Sequence, residues 1–256
     1  MRRTLAGHSA CRGHTSLVDI DLGTFNIDAS AARQALTPKA KAIIVPHLFG
    51  LSADLTELEA LGVPIIEDCA QTLGATEQGR RAGSIGILTV CSFYATKLLC
   101  AGEGGMVLSR DESLLERVRR LREYDKTPSL YPGSTNLKMT DLHAAIGLAQ
   151  LERLDSFLER RRWLAEEYRA ALSGVGLVCQ PCQPGTRTPT IDLSYASQIL
   201  RPQRTDFTIS SGALRREGSS AESRYFARSI AILGWTGSLL PRKQNGRHFP
   251  FHCSRH

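Results

Sequence analysis

Apolar residues along this chain gather in short runs separated by polar stretches. Lys41–Pro46, Val63–Glu67, Ile87–Phe93 and Gly105–Ser109 are four such runs, and each reads as a strand. The stretches between them carry helix signals. Asp28–Leu36 is a short helix opened by Asp28 or Ser30 as cap, and Asp54–Leu61 is another. Asp111–Tyr124 is amphipathic and rich in Leu and Arg. Thr140 and Asp141 cap a long helix running to about Leu172. Alternation of this kind predicts an α/β sheet with covering helices. The long helix has an apolar stripe of Leu142, Ile146, Ala149, Leu151, Leu154, Leu158, Leu164 and Tyr168. Such a stripe is core or dimer surface rather than a ligand site.

Two positions stand out chemically. Ser92-Phe-Tyr-Ala-Thr-Lys97 sets a lysine just after one apolar strand and just before the glycine-rich turn Gly102-Glu-Gly-Gly105 into the next. Solubility explains a lysine there poorly, because a half-buried ammonium is costly unless paired. An amine so placed suits Schiff-base formation with a carbonyl compound. Upstream, Val63-Pro-Ile-Ile-Glu-Asp68 is an apolar run ending in two carboxylates. It predicts a buried parallel strand that delivers Asp68 at its C-terminal tip, where open α/β sheets bind ligands. An aspartate at one strand end and a lysine after a later strand suit pyridoxal phosphate. The aspartate keeps the pyridine nitrogen protonated and the lysine holds the aldehyde carbon. Taken singly, Asp68 also reads as a helix cap, Lys97 as a surface lysine, Ser92 as an ordinary strand serine and Asn136 as a turn former after Pro132-Gly133. Their combination, in order, carries the assignment.

The segment Pro64-Ile-Ile-Glu-Asp-Cys-Ala-Gln71-Thr-Leu-Gly-Ala75 resembles the strand and turn of the DegT/DnrJ/StrS sugar aminotransferases. Gly83-Ser-Ile-Gly86 through Lys97 to Gly105 resembles that family's lysine segment. Asn136-Leu-Lys-Met-Thr-Asp141-Leu-His-Ala-Ala-Ile146 is similar to a third of its motifs, and the likeness runs unbroken from Val18 to Leu172. The resemblance implies fold type I of the pyridoxal-phosphate enzymes. Lys97 is then the cofactor-bearing lysine and proton shuttle, and Asp68 pairs with the pyridine nitrogen. Gln71 lies near the ring and its 3-hydroxyl, and Ser92 contacts the phosphate. Asn136 reaches the phosphate of the neighbouring subunit's cofactor in a homodimer. The implied reaction moves an amino group from an amino acid, glutamate in this family, to a nucleotide-linked keto-sugar.

Composition fits part of such an enzyme. The chain has 256 residues, 42% of them apolar, and no apolar run approaches the ~20 residues of a membrane span. The N-terminus lacks a signal-peptide core, so the cytoplasm is expected. Seven cysteines without regular spacing suggest free thiols, and the lone Cys179–Cys182 pair lacks the second ligand pair that zinc needs. No metal is expected.

The formal net charge of +7 lies wholly beyond Leu200, where ten Lys/Arg face three Asp/Glu. No nucleic-acid motif accompanies that basic tail. Residues 1–16 match nothing in the resemblance, and the family's opening segment for the cofactor phosphate is expected to be missing. Residues 17–172 are expected to form an incomplete large domain with the long connecting helix. Residues 173–256 are expected to be a degenerate small domain. Shifting the frame by one base turns Tyr225–Gly234 into text closer to the family's substrate loop, so the tail is expected to be frame-shifted and its charge accidental.

Three other functions compete. One is a non-catalytic remnant that binds a sugar nucleotide or partner subunit. A second is a dehydratase of the same family, disfavoured because 3-dehydratases replace the lysine by histidine. The third is a short-chain nicotinamide dehydrogenase. That chemistry needs Tyr and Lys four residues apart on a helix, whereas Tyr94 and Lys97 are three apart at a strand end.

Overall fold

The computed structural model describes residues 15–123 and 134–172 and two dipeptides, 177–178 and 196–197. Ser16–Pro202 forms one compact unit; Met1–Thr15 and Gln203–His256 form the other, of which Thr15 alone is described.

The first unit holds a four-stranded sheet of β1 (Ile43–Pro46), β2 (Ile65–Asp68), β5 (Leu88–Ser92) and β6 (Gly105–Leu108), in that spatial order. β1, β2 and β5 are parallel, and β6 is antiparallel to β5. Helix α1 (Ala29–Ala35) precedes β1, and the single turn α2 (Thr56–Glu59) joins β1 to β2. Two further strands, β3 (Thr76–Glu77) and β4 (Arg80–Arg81), make a hairpin. α3 (Glu112–Arg122), α4 (Asp141–Leu151) and α5 (Leu154–Leu172) follow, then a short pair, β7 (Leu177–Val178) with β8 (Ala196–Ser197).

Side chains alternate across the sheet. One face carries Ile43, Val45, Ile65, Glu67, Thr89 and Cys91, all buried. Ile43, Val45 and Ile65 pack with Ala32 of α1, Leu58 of α2 and the preceding Leu55. Each such side chain is worth roughly 1.5–3 kcal/mol on full burial. A second cluster of Cys69, Cys91, Phe93, Leu99 and Ala101 lies under the lysine loop. The other face, with Ile44, Asp68, Val90 and Ser92, is half-buried or exposed.

The caps are local. Asp28 Oδ1 accepts from the Ala31 amide, Asp111 Oδ1 from the Ser113 and Leu114 amides, and Thr140 Oγ1 from the His143 amide. Three sequence expectations change. The strand expected at Val63–Glu67 begins at Ile65, since Pro64 has no N–H for the ladder. The helix expected over Asp54–Leu61 shrinks to one turn. Leu61 and Gly62 bond back three residues, to Leu58 and Glu59, and Gly62 takes a positive φ of 69°. The single helix expected to run to Leu172 is two, because Arg153 donates to Gln150 rather than to Ala149, a tightened turn that interrupts the helix. The β3–β4 hairpin went unread; its signal is Gln78-Gly79, both at positive φ, as a two-residue hairpin turn requires.

Candidate active site

β2 and β5 end at the same edge, with Asp68 in register with Val90. Ser92 is two residues beyond Val90, so Asp68 and Ser92 share one face of the sheet. Both are half-buried. Asp68 Oδ1 accepts from the Ala70 amide at 3.0 Å. No helix follows β2: Cys69–Gly74 is a series of turns, so the capping role open to Asp68 in the sequence reduces to this local bond.

Beyond β5 the chain forms the loop that carries Lys97. The Phe93 amide donates to Gly104 O and the Ala101 amide to Phe93 O, both at 2.9 Å, closing its base. Buried Leu99 and Ala101 anchor it from beneath. Lys97 is half-buried, and its amide donates to Tyr94 O at 2.9 Å. The loop therefore leaves from the edge where Asp68 stands. α4 and the residues before it back this loop: a Cβ on Gly104 would lie 2.8 Å from Met139 Sδ, and one on Gly102 3.4 Å from His143 Cδ2.

Gln71 is half-buried in the turn after β2, where its Oε1 accepts from the Phe49 amide at 3.1 Å. Asn136 stands apart on the exposed stretch before α4, and its Oδ1 accepts from the Lys138 amide at 3.3 Å. Thr135 and Leu137 on either side bond back to the end of α3, at Leu121 O and Arg122 O. The structure thus gathers Asp68, Gln71, Ser92 and Lys97 at one edge. Asn136 lies on a different segment, beside the end of α3.

The second carboxylate of the strand end, Glu67, faces the opposite way into the core, and its side chain is wholly buried. It accepts from the Gly83 amide at 2.6 Å, Ile85 at 2.8 Å and Gly86 at 2.5 Å, and is 3.0 Å from His47 Nε2. His47 Nδ1 in turn accepts from the Ala53 amide at 2.9 Å, which assigns the ring proton to Nε2. Nε2–H is then the donor to Glu67. Burial opposes ionisation of Glu67 and is the largest single influence. The bonds from His47, Gly86, Gly83 and Ile85 together outweigh it and hold the carboxyl below its ordinary value. Gly83 is needed in this loop: its φ is +86°, and a Cβ there would lie 2.8 Å from Thr89 Cγ2.

His47, Glu67 and Cys69 bring ligand-type atoms within 4.8 Å of one another. A metal finds little there. Both imidazole nitrogens are committed, and both Glu67 oxygens already accept amide protons. Burial, then the charge of Glu67, pushes the Cys69 thiol well up, so it stays protonated. Cys69, Cys91 and Cys100 are free thiols; Cys179 and Cys182 lie outside the described residues. The sequence reading gave Glu67 no role. The available signal was the Glu67-Asp68 pair itself, since adjacent strand residues must face opposite ways.

The edge set fits pyridoxal phosphate. A carboxylate is present for a ring cation, a hydroxyl on the same face for a phosphate, and an amine in the adjoining loop for an aldehyde.

Residues 4–222 match the model of the DegT/DnrJ/EryC1/StrS aminotransferase family, beyond the Val18–Leu172 stretch at both ends. The chain is 37% identical over 174 residues to GDP-perosamine synthase of Caulobacter vibrioides, covering 65% of this chain and 47% of that protein. It resembles the crystal structure of DesI with its TDP-sugar product at 31% identity and a TM-score of 0.65, covering 72% of this chain and 49% of the other. It also resembles the PLP form of the putative sugar aminotransferase Spr1654 from Streptococcus pneumoniae, at 25% identity and a TM-score of 0.67, covering 74% and 56%. The chain spans about half the length of the curated relatives it matches. Its fold is that of the pyridoxal-phosphate-dependent sugar aminotransferases of fold type I. Match, fold and site edge agree, and the chain belongs to the DegT/DnrJ/EryC1/StrS aminotransferase family.

Proposed function

We propose that this chain carries the cofactor edge of a pyridoxal-phosphate-dependent aminotransferase that moves an amino group from an amino acid, glutamate, to a nucleotide-linked keto-sugar. The observation that supports it best is the register of β2 and β5, which puts Asp68 and Ser92 on one face beside the Lys97 loop. When bound, pyridoxal phosphate supplies an electron sink for the substrate carbon that bears the amine. Asp68 pairs with the pyridine nitrogen and holds its proton there. Ser92 donates its hydroxyl to the phosphate. Gln71 would lie near the ring and its 3-hydroxyl. Lys97 Nζ would hold the cofactor covalently, and its amine would carry a proton to and from the substrate carbon, help worth ~10²–10⁴-fold.

A homodimer belongs to the same proposal, with Asn136 reaching the partner's site. The exposed α4 supports it: none of its eleven residues is buried, although Leu142, Ile146, Leu148 and Leu151 are among them. Nucleotide-sugar and amino-acid substrates place the protein in the cytoplasm. No helix among the described residues is long and apolar enough to cross a membrane.

The test is the visible spectrum of the purified chain with added pyridoxal phosphate, beside Lys97→Ala. A lysine-dependent band that bleaches with glutamate is expected. A band equally strong without Lys97, or none at all, overturns the proposal and leaves a non-catalytic family remnant.

A further inference from the structure

The loop after β1 is tied down at more points than its length explains. Asn26 Oδ1 accepts from the Leu48 amide at 2.8 Å, and Asn26 Nδ2 donates to Leu51 O at 3.1 Å. The His47 ring spans from Glu67 to the Ala53 amide, and the His47 amide donates to Asp68 O at 3.0 Å. The Phe49 amide donates to Gln71 Oε1. Phe49 itself holds a left-handed φ of 58°, a conformation unusual for a side chain of that size, and its ring meets Phe25 edge-on at 6.1 Å. Strain of this kind persists only where the surroundings over-determine it.

Glu67 is the hub. One carboxylate joins three segments: the Gly83–Gly86 turn through three amides, its own strand, and the β1 exit loop through His47. It stands on the face of β2 opposite Asp68 and touches nothing at the cofactor edge. Its reach is nonetheless direct. His47 bonds the strand at Asp68 O, and two residues later the same loop takes up the acceptor oxygen of Gln71.

We propose that Glu67 and His47 are positioning residues: a buried carboxylate–imidazole pair that sets the β2 tip and the β1 exit loop, and thereby the aim of Asp68 and Gln71 toward the cofactor. This rests on the cofactor reading above. His47 is required as the Nε2–H tautomer, donating forward to Glu67 and accepting from Ala53.

The experiment compares wild type with Glu67→Gln, His47→Leu and His47→Gln. In each, far-UV circular dichroism checks the fold, pyridoxal phosphate is titrated by the visible band, and the pH midpoint of that band is measured. A displaced Asp68 lets the ring nitrogen lose its charge, so the Lys97 linkage keeps its proton to higher pH. Glu67→Gln and His47→Leu are expected to fold, to bind pyridoxal phosphate about tenfold or more weakly, and to shift the midpoint upward. His47→Gln, which restores a donor to Glu67, is expected to recover most of both. Nitrogen-15 NMR of histidine-labelled protein without cofactor is expected to show His47 protonated at Nε2 with Nδ1 as acceptor.

Folded variants with wild-type affinity and midpoint overturn the proposal, as does a His47 proton on Nδ1. If Glu67→Gln fails to fold, the His47→Leu and His47→Gln comparison decides alone. Absence of any band in wild type overturns the cofactor reading instead, and the NMR result then stands as the test of the pair's geometry.

Discussion

Asp68 and Ser92 share one face of the sheet because Asp68 pairs in register with Val90, two residues before Ser92 on the neighbouring parallel strand. Their separation of 24 positions in sequence disappears at the ends of two adjacent strands. The first expected outcome follows from it. Asp68→Asn keeps the shape of the side chain but removes the charge that holds a ring proton. The visible band with pyridoxal phosphate is expected to persist, since Lys97 is intact. The rate of the amino-donor half-reaction, measured by stopped flow, is expected to fall about 10²–10³-fold.

Ser92→Ala tests the other end of the same face. Loss of one hydroxyl donor to a phosphate is expected to weaken cofactor binding roughly tenfold to a hundredfold. The melting temperature of the cofactor-free protein is expected to stay unchanged, because among the described residues Ser92 Oγ makes only a 3.4 Å hydrogen bond, accepted from the Tyr94 amide. Spectrophotometric titration and a thermal melt read the two quantities.

Glu77 provides a pH signature away from the site. Its carboxyl is buried, and Oε2 has no hydrogen-bond partner among the described residues. Burial, then the charge of Asp54, raises it to about 7 from an ordinary 4.5, against an opposing pull from Arg80. The folded value lies above the unfolded one, so its contribution to stability is fully present below 4.5 and is lost as pH rises through 7. Denaturant titrations of wild type are expected to show that decline. Glu77→Gln is expected to flatten it and to gain roughly 2–3 kcal/mol at pH 8.

Gly83→Ala places a Cβ at a positive φ and against Thr89. A cost of about 1–3 kcal/mol in urea unfolding is expected. Because the Gly83 amide is one of the donors to Glu67, amide exchange at Ile85 and Gly86 is expected to accelerate as well.

The apolar surface of α4 predicts an assembly effect. Leu142 is 71% exposed and Ile146 41%. Replacing both by Glu is expected to leave the circular dichroism spectrum unchanged. Sedimentation velocity is expected to show a dimer for wild type and a monomer for the variant. A wild-type monomer at micromolar concentration would remove the dimer from the proposal.

Local signals in the chain were enough for much of the frame. Asp28, Asp111 and Thr140 each cap the helix that follows, because a cap bonds amides only two or three residues away. The apolar runs at Ile43, Ile65, Leu88 and Gly105 all became strands. The motifs around Asp68, Ser92 and Lys97 named these as candidate residues before any geometry. What they could not supply was pairing. Whether Asp68 and Ser92 face the same way depends on the β2–β5 register, and alternation within one strand cannot set the register against another.

The same limit hid Glu67. Its partners lie 16 to 20 residues away in sequence, and three of them are backbone amides, which every residue type presents alike. Composition therefore carries no trace of them. The break at Arg153 escaped for a related reason: it is a shift of one hydrogen bond from the fourth to the third preceding residue, with no Gly or Pro to announce it. Short-range bonding and side-chain alternation are written in the order of residues. Register, the choice of long-range amide partners, and the face each carboxylate turns to are decided only when the strands pack.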